Sequence, residues 1–476
     1  MEPITLREIA EATNGRLLRG DPDDKVGSVC TDSRSVEPGS LFVPIIGARF
    51  DAHAFIPQAL RSGAAATLSS RETGPDAETG IGSAGWIRVD DTIRALQLLS
   101  AAYRSRFDLP VVGVTGSVGK TSTKEMIADA LAPGFKVLRT KGNFNNEIGL
   151  PMTLFGLERS HTAAVVEMGT SGVGEIALLT SLAAPTHAVV TNIGISHIEF
   201  FKTREAIRNE KLSITDGFPS QGGTLFLNGD DPLLAALRGK TRVPTVWFGN
   251  APWCGYRAAD VRTGEGRTSF TLIHPAGETG IVLPVTGMHH VRNALAAAAV
   301  ADSLGIPPRS SAEGMKDYRG AALRQQVREG RGLKVIDDSY NASPDSVRSG
   351  LEVLAATNAS GRRIAVLADM YELGDHARSA HRDAGRFAVE QGVDELVAIG
   401  TMAGWILEGA EEACRGKSDG SSRTPVQAFS TLAEAYAHLA GSIAEGDVIL
   451  VKGSRGMHAD RLARALVSGD EKDLEE

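Results

Sequence analysis

Residues 111–126 read VVGVTGSVGKTSTKEM, and this stretch decides the fold of the chain. The apolar run 111–114 predicts a short buried strand, and a helix-forming run follows Lys120. Between them, Gly116 and Gly119 allow a tight turn whose N–H groups point at an anion, and the positive end of the helix dipole adds to the attraction. A strand, a glycine-rich turn and a Lys-Thr pair in this order are typical of a nucleotide-phosphate loop.

This loop is a shortened form of the usual P-loop pattern. Val114 occupies the place of the first glycine, so that T-G-x-x-G-K-[ST] remains. We expect Lys120 to reach the outer phosphates of a nucleotide and the Thr121 hydroxyl to bind magnesium. The alternative is an ordinary strand-to-helix turn without a ligand. The Lys-Thr pair favours the phosphate site.

Length and composition limit the class of protein. The chain has 476 residues, which predicts about three domains. Hydrophobic residues make up 42% and charged residues 23%, as in water-soluble proteins with substantial cores. The net charge of -8 argues against a general nucleic-acid binder. The three cysteines fall in no metal or redox spacing and fit a reducing compartment.

The sequence also bears on location and partners. The first fifteen residues show no basic segment followed by an apolar run, so we expect no signal peptide. The apolar run 294–301 is far shorter than the ~20 residues that cross a bilayer. We therefore expect a cytoplasmic protein, acting as a monomer, without nucleic-acid or membrane partners.

Strand and helix patterns predict an α/β fold with three domains, 1–88, 89–326 and 327–476. The first is a small α/β unit, and the second is a mainly parallel sheet around the P-loop with a small antiparallel insertion in residues 243–286. The third is Rossmann-like, and Ser343 before a proline predicts a helix start there. The predicted strands are 26–30, 40–44, 111–114, 163–166, 188–192, 225–227, 270–273, 281–285, 334–337, 364–368, 396–399 and 448–451. The predicted helices include 4–13, 54–61, 91–106 and 290–304, and others begin near residues 343, 376, 431 and 458.

Three polar residues outside the loop are candidates for chemistry. Glu167 follows a predicted strand, and a carboxylate at the end of a parallel strand suits a magnesium ligand, although such residues are more often helix caps or solvated. His197 is predicted to end another strand, where an imidazole can bind or orient near a metal or simply be structural. Lys211 lies on a predicted helix and by its sequence alone reads as a solvated surface residue.

Two polar loops are candidates for ligand binding. The loop 141–149 contains Asn145 and Asn146, whose amides both donate and accept, so it suits a sugar, peptide or nucleotide edge; the alternative is a chain of Asx turns. The turn 31–34 contains Ser33 and Arg34. Its guanidinium can hold a phosphate or a carboxylate, although turns of this composition are common.

Nine segments together resemble the Mur ligases, ATP-dependent amide-forming enzymes of peptidoglycan precursor synthesis. Each is weak alone, but all nine occur in order over three domains. The segments are TDSRSVEPGSLFVPIIGARFDAHAF, TGSVGKTSTKEM, KGNFNNEIGLP, VVEMGTSGVGEI, TNIGISHIEFF, HHVRNALAAA, DDSYNASPDS, LADMYELG and VKGSRGM. Three of them, GNFNNEIGLP, DDSYNASP and VKGSRGM, are most similar to the members that join D-alanyl-D-alanine to UDP-N-acetylmuramoyl-tripeptide. The D-N-P-R/K motif of the sister enzyme that adds the third peptide residue is absent from the sequence.

The resemblance implies a role for each domain. The first would hold the UDP-sugar through Ser33 and Arg34, and the third would close over the site and bind the amine. ATP would be bound by Thr115, Gly116, Ser117, Val118, Gly119, Lys120, Thr121, Ser122, Asn293, Arg324 and Asp338. Asn293 would read adenine, and the ALRQQ segment around Arg324 departs from the usual family spacing. The muropeptide and the dipeptide would meet Asn145, Asn146, Asn341 and Ser343.

The resemblance also implies two magnesium ions and a mechanism. Thr121, Glu167, His197 and a carbamylated Lys211 would be the metal ligands, and Lys120, His197 and Lys211 would be catalytic. The substrate carboxylate would attack the γ-phosphate of ATP, and the dipeptide amine would then displace phosphate from the acyl phosphate. Two alternatives remain: another ligase of this fold, such as folylpolyglutamate synthetase or the sister Mur enzyme, and a nucleotide-dependent binding protein without ligase activity.

Overall fold

The computed structural model describes residues 1–47, 50–72, 84–264, 266–416 and 424–475. Strands and helices alternate along this chain, so the predicted α/β class is confirmed. Of the helices in these ranges, none is long and apolar enough to cross a membrane. The chain divides into two compact units, the first made of Met1–Thr115, Phe135–Ala188 and Leu212–Thr224 and the second of Gly116–Gly134, Val189–Lys211 and Leu225–Glu476.

The strands follow the chain from β1 to β22. They are β1 Ile4–Thr5, β2 Arg16–Arg19, β3 Lys25–Val26, β4 Ser28–Cys30, β5 Ser40–Phe42, β6 Ala66–Ser69, β7 Gly85–Arg88, β8 Val111–Thr115, β9 Val137–Arg139, β10 Ala163–Glu167, β11 His187–Val190, β12 Thr224–Asn228, β13 Thr245–Phe248, β14 Arg257–Gly264, β15 Arg267–His274, β16 Gly277–Leu283, β17 Gln326–Gly330, β18 Leu333–Asp338, β19 Arg363–Ala368, β20 Glu395–Ile399, β21 Val426–Phe429 and β22 Val448–Lys452.

The α-helices are numbered in the same way. They are α1 Leu6–Ala12, α2 Ile56–Arg61, α3 Thr92–Arg104, α4 Lys120–Leu131, α5 Gly149–Leu154, α6 Glu175–Ala183, α7 Ile198–Phe201, α8 Arg204–Leu212, α9 Pro232–Ala235, α10 Met288–Ser303, α11 Pro308–Met315, α12 Pro344–Ala356, α13 Ala377–Glu390, α14 Ala403–Gly416, α15 Leu432–Ala440 and α16 Ala459–Ser468.

The first unit contains a small sheet near the N-terminus and the strand that leads to the P-loop. The sheet has the order β2-β7-β6-β5-β4 and is parallel except for the β2–β7 pair. Strand β10 pairs in parallel with both β8 and β9. In this register Glu167 lies beside Val114. The predicted carboxylate therefore lies near the carboxyl end of β8, because Val114 precedes Gly116, the first glycine of the loop, by two residues.

The second unit contains the strand pair β12–β13, an antiparallel sheet and a mixed sheet. Strands β12 and β13 are parallel, whereas β14, β15 and β16 form an antiparallel sheet. The predicted antiparallel insertion is confirmed, but its predicted bounds of 243–286 were too wide, because the sheet begins at Arg257 and Thr245–Phe248 forms a parallel pair with β12. A strand of only four residues fits either a parallel or an antiparallel neighbour, so its sequence pattern does not identify the strand it pairs with.

A mixed sheet of order β17-β18-β22-β19-β20-β21 completes the second unit. Only the β17–β18 pair is antiparallel, and buried side chains of the sheet pack against α15 and α16. The predicted helix start at Ser343 is confirmed. Pro344 is the first residue of α12, and the Ser343 N–H donates to Ser346 Oγ at 2.9 Å. This helix start fixes the loop 339–343 at the carboxyl end of β18.

Candidate active site

The phosphate loop leads directly into α4 and has the backbone that its glycines predict. Gly119 has a φ of 84° as the residue before α4, and Gly116 has a φ of 151°. A Cβ at Gly116 would lie 1.8 Å from Thr191 Oγ1, so only glycine fits this close approach. The loop is also held in place: Asn192 Oδ1 accepts from the Val118 N–H at 2.9 Å.

The cationic side chain of the loop folds over its own turn. Lys120 Nζ donates to the Gly116 carbonyl at 2.8 Å and to the Ser117 carbonyl at 3.4 Å. Thr121 and Ser122 lie in the first turn of α4 and are largely buried. Charge from the lysine and from the helix N-terminus is thereby concentrated at one point, an arrangement that attracts phosphate.

Asn293 lies beside the phosphate loop. It is on α10, and its Oδ1 accepts from Thr123 Oγ1, in α4, at 3.0 Å. Its Nδ2 is buried and has no hydrogen-bond partner among the described residues. A buried amide donor without an acceptor is costly, so this group is suited to meet an acceptor on a bound ligand.

In the first unit, Glu167 has the features of a metal ligand. Its side chain is 1% exposed, and Oε1 accepts from Asn145 Nδ2 at 2.7 Å. Its other oxygen, Oε2, is buried without a hydrogen-bond partner in the described chain. A buried carboxylate oxygen with no donor fits a cation.

The two asparagines of the predicted polar loop have different roles. Asn145 contacts Glu167, as described above. Asn146 Oδ1 instead accepts from the Gly149 N–H at 2.8 Å, at the start of α5. The Ile148 N–H donates to the same oxygen at 3.3 Å and closes an Asx turn, so Asn146 forms one turn of the kind that was the alternative for this loop.

Lys211 is the residue for which sequence reasoning about solvation was wrong. It is 2% exposed, at the C-terminal end of α8. Burial lowers the pKa of Lys211 well below its usual value, and the charge of Lys120 lowers it further. Both effects shift the lysine towards its neutral amine, the form that reacts as a nucleophile.

His197 lies beyond β11, at the start of the short helix α7, and not at a strand end as predicted. Its φ is 61°, in the left-handed region. Its Nδ1 lies 2.5 Å from Glu372 Oε2. Burial lowers the pKa of His197, and nearby Lys120 and Lys211 lower it further, whereas Glu372 raises it. A carboxylate beside one ring nitrogen orients the ring and leaves the other nitrogen for a ligand.

His197 and Glu372 are part of the wall of a cavity of about 220 Å³ in the second unit. Its walls come from four separate segments of the chain, two of which contain predicted site residues. The lining residues are Ser196, His197, Tyr340, Asn341, Ala342, Ser343, Tyr371, Glu372, Leu373, Ser454, Arg455 and Gly456. The structure therefore brings His197 together with Asn341 and Ser343.

A buried lysine that the sequence did not single out supports this cavity. Lys452 is 1% exposed and donates to Asp338 Oδ2 at 2.7 Å and to the Asn341 carbonyl at 3.0 Å. Burial raises the pKa of Asp338, and the charge of Lys452 opposes that rise. The Arg324 guanidinium stacks on the Tyr340 ring at 4.2 Å. These contacts fix the loop 338–343.

The remaining candidates are in the first unit, in the turn 31–34. Arg34 donates to Asp32, with NH2 at 2.6 Å from Oδ2, and this pairing lowers the pKa of Asp32 to about 2. The Arg34 side chain is 84% exposed, and Ser33 is partly exposed beside it. Both side chains are accessible to a ligand, although the guanidinium already has a local carboxylate partner.

A ready-made metal site is not visible. Within the described ranges, no three His, Cys, Asp or Glu side chains form a group that could hold a metal ion. The candidate ligands are of mixed type: a threonine, a carboxylate, an imidazole and a lysine that must first be modified.

Sequence reasoning missed Glu372, Lys452 and Arg455. The segments LADMYELG and VKGSRGM that contain them were its only signal.

The glycine-rich loop between β8 and α4 indicates a nucleotide-dependent enzyme, and comparison with known families identifies its class as an ATP-dependent ligase. Three family models match successive parts of the chain: the Mur ligase family catalytic domain at 25–104, the Mur ligase middle domain at 114–301 and the Mur ligase glutamate ligase domain at 323–455. The chain belongs to the Mur ligase family.

Individual relatives are similar over almost their whole length. A UDP-N-acetylmuramoyl-tripeptide–D-alanyl-D-alanine ligase of Bacillus subtilis is 35% identical, over 97% of this chain and 98% of its own. A crystal structure of MurF from Acinetobacter baumannii is 32% identical, with a TM-score of 0.88, over 98% of this chain and 99% of its own. MurF ligase from Thermotoga maritima, solved in complex with ADP, is 29% identical, with a TM-score of 0.77, over 94% and 98%.

Proposed function

We propose that this chain joins D-alanyl-D-alanine to UDP-N-acetylmuramoyl-tripeptide with cleavage of ATP to ADP and phosphate, a cytoplasmic step of peptidoglycan precursor synthesis that cell growth and division require. The observation that carries the proposal is similarity to an enzyme of this printed activity over 97% of the chain. That similarity includes the segments around the 220 Å³ cavity, which a simple ATPase would not need.

Each of the three domains has its own binding role in this proposal. Residues 1–88 bind the UDP-sugar through Ser33 and Arg34. Residues 89–326 bind ATP, with Lys120 on the outer phosphates and the free Nδ2 of Asn293 on the adenine. Residues 327–476 bind the amine substrate and close over the site, and the enzyme acts as a monomer. Arg324 and Asp338 meet the nucleotide, and Asn145 and Asn146 meet the muropeptide.

The reaction has two steps. A carboxylate oxygen of the tripeptide attacks the γ-phosphorus, the bond to ADP breaks, and an acyl phosphate forms. The amine of the dipeptide then attacks the acyl carbon, inorganic phosphate leaves with the bonding electrons, and the nitrogen loses a proton. Lys120 offsets charge on the transferring phosphoryl group, so most of the catalysis is positioning and electrostatics. Domain closure shields the acyl phosphate from water.

The residues present fit magnesium. Glu167 Oε2 is a buried oxygen without a donor in the described chain, and Thr121, His197 and Lys211 complete the proposed set. The lowered pKa of Lys211 favours the neutral amine that carbon dioxide converts to a carbamate, an anionic oxygen ligand in place of a repelled cation. Two magnesium ions, when bound, would neutralise charge on the phosphate oxygens during transfer.

Glu167→Gln should weaken magnesium binding by about 10- to 100-fold or more, because it removes the buried negative charge and keeps the size of the side chain. The magnesium concentration for half-maximal phosphate release and the direct binding of Mn²⁺, followed by electron paramagnetic resonance, both measure this effect. Glu158→Gln removes an exposed carboxylate of the same unit and serves as the control. Equal magnesium dependence in both variants would remove Glu167 from the metal site.

The test of the proposed function is phosphate release with ATP and magnesium, with UDP-N-acetylmuramoyl-tripeptide and D-alanyl-D-alanine supplied singly and together. We expect release only with both, and a product heavier than the tripeptide nucleotide by the dipeptide less one water. Release that requires the tripeptide and a different amine would retain the ligase chemistry and change the substrate. Release with neither substrate, or with none of the amines, would overturn the proposed ligase.

A further inference from the structure

We propose that Arg455 is the residue that binds the carboxylate of the incoming dipeptide, and that the enzyme selects an amine bearing a free carboxylate through this contact. This inference rests on the proposed function, because it assigns a residue to one end of that amine substrate. It begins from the charges in the cavity wall. Of the twelve lining residues, Arg455 is the one with a permanent positive charge, and Glu372 is the one carboxylate.

Most N–H donors of the Arg455 guanidinium have no partner among the described residues. Arg455 NH1 lies 3.3 Å from Asp460 Oδ1, and this is its one side-chain hydrogen bond among the described residues. Asp460 is shared, because Arg464 NH1 donates to its other oxygen at 3.0 Å. A guanidinium carries five N–H donors in a planar fork, and a carboxylate can accept two of them in parallel. The Arg455 side chain is 54% exposed and therefore accessible to a solute.

The side chains of Ser454 and Met457, on either side of Arg455, both contact Tyr371, so the turn that carries the guanidinium is held in place without a ligand. The Tyr371 N–H donates to Ser454 Oγ at 2.9 Å, and the Tyr371 hydroxyl donates to Met457 Sδ at 2.7 Å. A Cβ at Gly456 would lie 3.1 Å from the Tyr371 ring, so the turn packs closely on that ring. A preformed contact of this kind costs less entropy when it binds a small ligand.

The dipeptide carboxylate is a better occupant than a phosphate of ATP. The phosphate-binding candidates occupy residues 116–122, and none of them lines this cavity. The cavity wall instead combines the guanidinium of Arg455 with polar side chains that can hydrogen-bond to a peptide, including Asn341 and Ser454. It also contains the candidate metal ligand His197. A dipeptide held by its carboxylate at Arg455 keeps its amino group, which must attack the acyl phosphate, free to react.

The test combines a variant with a substrate analogue in the complete enzyme. Wild type, Arg455→Ala and Arg455→Lys are assayed with D-alanyl-D-alanine and with D-alanyl-D-alaninamide, which lacks the carboxylate charge. We expect Arg455→Ala to raise the KM for the dipeptide by about 10- to 100-fold while the KM for ATP stays within about twofold. The wild type should discriminate against the amide to a similar extent, and Arg455→Ala should lose that discrimination. Arg455→Lys should recover part of it, because a point charge remains.

Arg464→Ala is the matched control, because it removes the other guanidinium from Asp460 and does not line the cavity. Its KM for the dipeptide should match the wild type, and an increase equal to that of Arg455→Ala would overturn the proposal in favour of a structural role. A rise confined to the KM for ATP would also overturn it. If the wild type turns over neither the dipeptide nor its amide, the proposed function is rejected and the Arg455 assignment with it. If the wild type uses the dipeptide and its amide equally well, the proposed function stands and only the Arg455 assignment is rejected.

Discussion

Lys120→Ala should reduce ATP-dependent amide formation by at least about 10²–10³-fold and leave the fold intact. The lysine carries the positive charge of the phosphate loop, and its Nζ lies over the turn at 2.8 Å from the Gly116 carbonyl. Its loss removes charge stabilisation that matters most while the phosphoryl group is transferred. Loss of the two hydrogen bonds to the Gly116 and Ser117 carbonyls should lower the free energy of unfolding by only about 1–3 kcal/mol. ADP release at saturating substrate and a urea unfolding curve measure the two effects.

Lys240→Ala is the control for this prediction, because it removes the same charge from an exposed position of the same unit. Its turnover and its unfolding midpoint should both match the wild type. Turnover in Lys120→Ala equal to that of Lys240→Ala would reject the phosphate-site assignment. A large fall in stability of Lys120→Ala would instead mean that the lysine is needed to hold the loop.

Lys452→Met should lower the free energy of unfolding by about 3–5 kcal/mol, the largest stability effect that we expect in this chain. The substitution keeps an unbranched side chain and leaves the Asp338 carboxylate buried without its cation at 2.7 Å. It also removes the donor to the Asn341 carbonyl, so the loop that lines the cavity should loosen. Denaturant unfolding measures the stability, and the KM for the dipeptide reports on the loop.

The effect of Lys452→Met should depend on pH. Burial already raises the pKa of Asp338, and loss of the opposing lysine charge should raise it further. The folded variant then resists ionisation of this carboxyl, so its stability falls as the pH rises from the unfolded pKa through the folded one. The deficit relative to the wild type should therefore be smaller at pH 5 than at pH 8.

Two further variants isolate the cause of that loss. Lys334→Met removes an exposed lysine from β18 and should change stability by at most about 0.5 kcal/mol. Asp338→Asn combined with Lys452→Met removes both buried charges and should recover most of the lost stability. No recovery in the double variant would show that the ion pair is not the reason for the loss.

Much of the candidate site was accessible to sequence reasoning, because its signals are local. The glycines of the phosphate loop need particular backbone angles, and the residues that follow them set the chemistry. Its position at the end of a predicted strand made Glu167 a candidate, and the structure places it buried as the last residue of β10. Asn145 and Asn146 could not be separated, however, since only the folded loop shows that one contacts Glu167 and the other accepts from the N–H of Gly149, the first residue of α5.

The sequence by itself determined the α/β class, the phosphate loop and the helix start at Ser343, because each depends on the spacing of neighbouring residues. Tertiary structure alone decided that Lys211 is buried and that Glu372 meets His197. It also decided that β13 lies beside β12, where an antiparallel insertion was predicted. Burial and pairing depend on segments far apart in the chain, and the pattern of a single helix or strand does not identify what will pack against it.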